Sequence, residues 1–360
     1  MTQDSLLRTL TILDNAFGVS GDEEEVAELL RTEMEGLYDQ YDQDALGSQY
    51  FIKHGSNPEK RVLISAHMDE IGFIVNHVEE NGLVRFLPVG YHDDRVAVNQ
   101  DMIIKTESGG KVHGVTGSKP AHIMTPEDHQ QVIKIEELFL DIGTESREET
   151  NQLGVYPGDY VGFHRQGMVL NGGKYYTGKA VDDRAGCAVM VEVFRRLKDK
   201  KIEPAVCMVG SVQEEVGMRA GGPMATRFDP ELMLSLDVTL TGGIPGIEEK
   251  QCPQVMGGGP SIKFYDWDPI LGATGNNVPR KVTKKLIQTA EAHNIPYQRE
   301  VITGGGTDAW SGAMAGKGYL AGGLCIPQRY MHTAVGTVNL EDLEQTVQLL
   351  VCFLADYETL

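Results

Sequence analysis

Apolar positions along the chain change period twice, and the changes divide it into three stretches. Leu6, Leu7, Leu10, Leu13 and Phe17 fall on one stripe of a helix over residues 5–17, which Gly18-Val19-Ser20-Gly21 breaks. Ser20 and Glu23 stand at capping-box spacing before a second amphipathic helix that carries Val26, Leu29, Leu30, Met34 and Leu37. Residues 61–67 form an apolar run with β-branched members, a buried strand stopped by His67-Met68-Asp69-Glu70. From about residue 71 to 164 the texture becomes short and β-rich, with strands expected at 83–87, 102–105, 111–115, 132–135 and 138–142. Asn81-Gly82, Gly109-Gly110 and Pro157-Gly158-Asp159 supply the turns, and only a short polar stretch near 146–153 reads as helix. This pattern predicts a small β-barrel or sandwich inserted into a different fold.

Beyond Gly178 strands and helices alternate. A helix is expected over 183–198, then strands over 205–212 and 231–237, the second ending at Asp237. A helix at 278–293, a strand at 297–302, a glycine-rich loop at 304–308, a strand at 319–326 and a last helix at 340–357, capped by Asn339, complete the chain. Alternation of this kind predicts an α/β fold, a mixed or parallel sheet with helices on both faces.

Composition narrows the partners. The 360 residues include 52 acids against 32 bases, a net charge of −20, which opposes binding to nucleic acid phosphates or anionic membranes. No apolar run approaches the roughly 20 residues that span a bilayer. The opening Met1-Thr2-Gln3-Asp4 lacks the basic start and apolar block of a secretory leader. Cys187, Cys207, Cys252, Cys325 and Cys352 are scattered and form no CxxC, so reduced thiols in a cytoplasmic protein are expected.

Candidate chemistry sits where apolar strands stop. Gly178-Lys179-Ala180-Val181-Asp182-Asp183-Arg184-Ala185-Gly186 places two adjacent carboxylates in the turn that opens a helix. His67, Glu214, Glu215, Asp237 and His332 lie at or just past strand ends, and ligand sites in open α/β sheets lie beyond the carboxyl ends of strands. Each has a structural explanation when taken singly. An aspartate pair caps a helix, a histidine satisfies a strand end, Glu214-Glu215 is a solvated pair, Asp237 holds a turn and His332 sits on the surface. Together they converge on one sheet edge. Imidazole and carboxylate oxygen suit zinc, cobalt or manganese, and a pair of divalent cations relieves the repulsion among so many acids.

Seven stretches carry a resemblance. They are Ala66-His67-Met68-Asp69-Glu70-Ile71-Gly72, Asp141-Ile142-Gly143, the Gly178 to Gly186 motif, Gln213-Glu214-Glu215-Val216-Gly217-Met218-Arg219, Leu236-Asp237-Val238, Gly305-Gly306-Thr307-Asp308-Ala309 and Met331-His332-Thr333. In order and spread, the chain resembles the M42 family of metallo-aminopeptidases, of the glutamyl and tetrahedral aminopeptidase type. It departs from the family pattern at Ala220-Gly221-Gly222 and at Tyr91-His92-Asp93-Asp94.

The resemblance implies a mixed-sheet, three-layer, zinc-peptidase-like catalytic domain of residues 1–70 and 165–360. An inserted β-barrel-like oligomerisation domain at 71–164 follows from it too. Two divalent ions per subunit are implied, zinc first, with cobalt or manganese as alternatives. Asp182 would bridge them, His67 and Asp237 would complete one site, and Glu215 and His332 the other. Glu214 would be the general base on a metal-bridged water, and Asp69 would hold the second nitrogen of His67. Thr307 and Asp308 are candidates for substrate contact, with a turn-stabilising role for Asp308 equally open. The expected partners are peptides and further copies of the chain, from a dimer to a dodecamer. The competing functions are a two-metal deacylase or carboxypeptidase, a metal-binding assembly module, and a glycoside hydrolase using Glu214 and Glu215. The last leaves His67, Asp237 and His332 without a role.

Overall fold

Four parallel strands form the centre of the main sheet, and their sequences explain why. The computed structural model describes residues 2–268 and 275–357. Asn57–His67 lies between Pro204–Ser211 and Leu232–Leu240, parallel to both, and Leu232–Leu240 runs parallel to Ala321–Arg329. Every residue of Pro204–Ser211 is buried, as strands covered on both faces require. Alternate residues enter different cores. Val62, Ile64, Val206 and Met208 join the helix Val181–Leu197, whereas Leu63, Cys207 and Val209 join Met224, Ala225 and Ala309. Antiparallel strands close both flanks: Gln49–Lys53 and Gln40–Gln43 on one, Gly336–Asn339, Tyr175–Gly178 and Met168–Leu170 on the other. With Ser261–Tyr265, antiparallel to Ala321–Arg329, and Gln298–Val301, parallel to Ser261–Tyr265, they make an eleven-stranded mixed sheet among the described residues.

A second, smaller sheet closes on itself. Its six strands run in the order Gly72–Val78, Val84–Val89, Leu140–Asp141, Lys111–Thr116, Asp101–Lys105 and Tyr160–Phe163. Phe73, at the centre of this barrel, meets Phe86 and Phe163 edge-on at centroid distances of 5.0 and 5.7 Å.

Four expectations are corrected. Residues 132–135 form no strand. The Asp94 carboxylate accepts the Ile135 N–H at 3.0 Å and pairs with Lys134 at 2.7 Å, turning the chain into the short helical turn Ile135–Glu137. Gly72–Val78 is a strand that the pattern hid, because a register shift between Val75 and His77 breaks its alternation. Leu232–Leu240 continues past Asp237, since Val238 and Thr239 are buried and pair with Ile326 and Pro327. The Ser20–Glu23 capping box does not form. Ser20 donates to the Asp69 carboxylate, and Glu23 accepts the N–H groups of Gly21 at 2.8 Å and Gln213 at 3.2 Å. The five cysteines are free, and no described helix is long and apolar enough to cross a membrane.

Candidate metal centre

The parallel register delivers the donors. Ser211 lies opposite His67, so the chain beyond these strand ends carries Asp69 on one side and Glu214-Glu215 on the other. Asp237 projects from the adjacent strand and His332 from the loop after Ala321–Arg329. Asp182 arrives at the start of Val181–Leu197, where it and Asp183 depart from helical backbone angles and are joined by a cis peptide. The capping duty falls on Asp183 alone, whose Oδ1 accepts the Gly186 N–H at 2.9 Å. A Cβ at Gly186 would overlap the Asp183 carboxyl, and one at Gly178 would overlap Asp14, so both glycines are needed for this turn. Asp182 is left facing the other donors.

Two clusters share that carboxylate. His67 Nε2 lies 3.1 Å from Asp182 Oδ1 and 3.9 Å from Asp237 Oδ1. His332 Nε2 lies 3.4 Å from Glu215 Oε2 and 3.6 Å from Asp182 Oδ2. Each cluster has its ligand atoms within 4.8 Å of one another, and each uses a different oxygen of Asp182. Both imidazoles are oriented from behind by carbonyls: His67 Nδ1 meets Asp69 O at 3.1 Å, and His332 Nδ1 meets Tyr91 O at 2.8 Å. A carbonyl only accepts, so Nδ1 carries the hydrogen and a neutral ring turns its Nε2 lone pair toward carboxylate oxygens. That arrangement is repulsive unless a proton or a cation lies between, which is how the donor set fits divalent ions.

The protonation of the bare site bears this out. Burial raises the Glu214 and Asp237 carboxyls well above their ordinary range, and takes Glu215 to about 7, Asp308 to about 6 and Asp183 to about 8. Burial pulls the His67 imidazole down, but the hydrogen-bonding Asp182 and Asp69 override it and hold it well above its usual value. The nearby cations do not neutralise these acids. Lys179 Nζ is held by Glu70 at 2.5 and 2.7 Å and by Ala16 O at 2.7 Å, and Arg184 donates to Leu13 O at 2.7 Å.

Asp69 approaches the second nitrogen of His67 twice: its carbonyl meets Nδ1 at 3.1 Å, and its nearer carboxylate oxygen lies 3.6 Å from the same atom. The carboxylate accepts from Ser20 and from the N–H groups of Glu214 at 3.0 Å and Glu215 at 3.1 Å, fixing both glutamates at their backbone. Glu214 belongs to neither donor cluster. Thr307 is buried and caps Asp308–Ala313 by accepting from Ala309 N–H. Asp308 is buried too; its Oδ2 accepts from Ser211 Oγ at 2.6 Å, and its Oδ1 has no hydrogen-bond partner among the described residues. No part in this site was expected of Ser20, Glu70, Lys179 or Tyr91: Ser20 was read as a helix cap, and the others were named only within longer stretches.

These protonation states set a pH dependence. Glu23 and Glu215 near 7 and Asp308 near 6 keep protons in the folded, metal-free protein that the unfolded chain has lost. The unfolded state then binds fewer protons, so stability falls as pH rises, from about 4.5 up to about 7. A raised His67 acts in the same direction, its stabilisation being lost as pH rises through its folded value. The metal-free protein is expected to melt several degrees lower at about pH 8 than at about pH 5.5, with saturating zinc abolishing the difference. Scanning fluorimetry at both values checks this. A metal-free melting temperature that climbs with pH would contradict it.

Fold and donor geometry define the class: a mixed-sheet α/β protein with paired imidazole and carboxylate clusters at the ends of its central strands. The chain belongs to the M42 glutamyl aminopeptidase family, whose model matches residues 47–349, and is an aminopeptidase. It is 33% identical to an aminopeptidase from the archaeon Desulfurococcus kamchatkensis, with a TM-score of 0.93 over 99% of this chain and 96% of that one. The TET1 peptidase of Pyrococcus horikoshii, which can assemble into a tetrahedron or a large octahedral shell, is 31% identical with a TM-score of 0.84, covering 98% and 99%. The glutamyl aminopeptidase of Lactococcus lactis is 28% identical over 347 residues, 94% of this chain and 93% of its own.

Proposed function

We propose that this aminopeptidase releases N-terminal residues from peptides at a two-metal centre on a three-layer, zinc-peptidase-like catalytic domain. Asp182 would serve both ions, with His67 and Asp237 as the other residues to hold one and Glu215 and His332 the other. The observation that carries this is the division of the Asp182 oxygens, one to each histidine, at 3.1 and 3.6 Å. Bound divalent ions, zinc first and cobalt or manganese next, supply electrophilic polarisation and lower the pKa of water toward neutrality. Glu214 takes the proton of the attacking water and returns it to the departing amine, a transfer within reach of a carboxyl whose pKa burial has raised. Asp69 holds Glu214 and Glu215 by their N–H groups and so keeps base and ligand in fixed relation. Asp308, next to the capping Thr307, offers its unpartnered Oδ1 to the substrate ammonium.

The remaining acidity of the chain favours peptides over nucleic acid or membrane as partners. Residues 71–164, read as an inserted domain, mediate self-association into a dimer or a larger shell. In support, Ile123 and Tyr156 on that unit are largely exposed, and the Pyrococcus horikoshii relative assembles. Free, mostly buried cysteines fit a cytoplasmic setting. Chelation followed by add-back of zinc, cobalt or manganese tests the whole reading. Hydrolysis of aminoacyl-p-nitroanilides should vanish and return, in a protein whose mass by light scattering exceeds one subunit. Metal-restored cleavage of N-acyl amino acids alone would favour the deacylase, activity on cellulose alone the glycosidase, and no activity at all the assembly module.

A further inference from the structure

We infer that His92 is a positioning residue for the His332 half of the centre, acting through the Tyr91 carbonyl. This rests on the reading of His332 as a ligand. The two histidines are held by different means. His67 ends a buried strand and its side chain is 2% exposed, so packing fixes it. His332 lies in a loop with positive φ at Tyr330 and His332 itself, and its side chain is 26% exposed. Its Nδ1 partner, Tyr91 O at 2.8 Å, therefore carries more of the burden of aiming the ring.

Tyr91 does not hold its own carbonyl in place, because the residue is 62% exposed. Its neighbours do. Gly90, at φ 85, turns the chain tightly against Ile71, where a Cβ would come within 2.8 Å of Cγ2. His92 then fixes the far side. Its Nε2 reaches Gly72 O at 2.8 Å and Val89 O at 3.1 Å, and its ring stacks on Phe73 with centroids 4.5 Å apart and planes 23° apart. Both acceptors are carbonyls, so Nε2 carries the hydrogen. Gly72 begins one barrel strand and Val89 ends the next, so this one N–H ties the turn to both. Ala334, two residues past His332, is buried in the same apolar cluster as Phe73. The barrel thus grips the His332 loop at two points, and His92 is the side chain that sets the first.

The test uses full-length protein and zinc titrated against a competing chelator. His92→Phe keeps the ring and its stack on Phe73 but removes the N–H. The expected result is a Kd for one of the two zinc ions raised about 10- to 100-fold, with the other unchanged. His92→Gln, whose amide nitrogen falls near the position of Nε2, should restore the weakened site to within about threefold of wild type, by the same donor logic. In zinc-free protein at a pH where the ring is neutral, long-range proton–nitrogen spectra should show His332 protonated at Nδ1 in the wild type and in His92→Gln, and losing that tautomer preference in His92→Phe. If the Phe variant does not fold, His92→Asn, whose amide falls short of both carbonyls, carries the same expectation. Unchanged zinc affinities, or equal weakening of both sites alongside a lower melting temperature, overturn the inference. His332→Ala serves as the control. If it too leaves both zinc sites intact, the ligand reading has failed instead.

Discussion

Glu214→Gln is expected to lower turnover by about 100- to 10,000-fold while leaving the metal content unchanged, the usual span for losing a general base. The substitution keeps the size of the side chain and leaves the backbone N–H that Asp69 holds at 3.0 Å. Glu214 lies outside both donor clusters, whereas its neighbour Glu215 approaches His332 Nε2 at 3.4 Å. In the proposed mechanism the pair divides along the chain into a residue that handles a proton and a residue that ligates. Metal content by mass spectrometry and turnover of an aminoacyl-p-nitroanilide read the two roles separately. A variant that retains activity but holds less than half the metal would reverse the assignment of the two glutamates.

Asp182→Ala is expected to abolish activity and to release or scramble both ions, because its two oxygens serve two clusters. Asp237→Ala and Glu215→Ala provide the comparison, each emptying only one site. Desalting followed by metal analysis decides the matter. Two tightly retained ions with normal turnover in Asp182→Ala would leave the residue as an ordinary part of the helix start.

The donors were legible because a buried strand that stops at a charged residue is an abrupt pattern. His67 closes the run Val62-Leu63-Ile64-Ser65-Ala66, and Glu214-Glu215 follow shortly after Val206-Cys207-Met208-Val209, each an apolar strand broken by charge. Asp237 was picked out at the end of a strand that runs on to Leu240. What stayed hidden is mostly made by main-chain atoms. The Asp69 and Tyr91 carbonyls that meet the two imidazoles leave no trace in residue identity. Ser20 and Glu23 have the spacing of a capping box, yet tertiary partners, Asp69 for one and Gln213 for the other, outcompete the local bonds. In the smaller sheet, the contact of Asp94 with residues 134 and 135 overrides the β-branched run at 132–135 in the same way.

Adjacent aspartates with opposite duties also bear on how such a chain can change over generations. Asp183 starts the helix by holding Gly186, while Asp182 faces the donors and makes no such local bond. Architecture and chemistry therefore rest on neighbouring codons and not on one shared side chain. A lineage can lose the second without risking the first, and a descendant altered at Asp182 would keep the sheet and the barrel. That is a short evolutionary route from a peptide-cutting enzyme to an inert protein of the same fold.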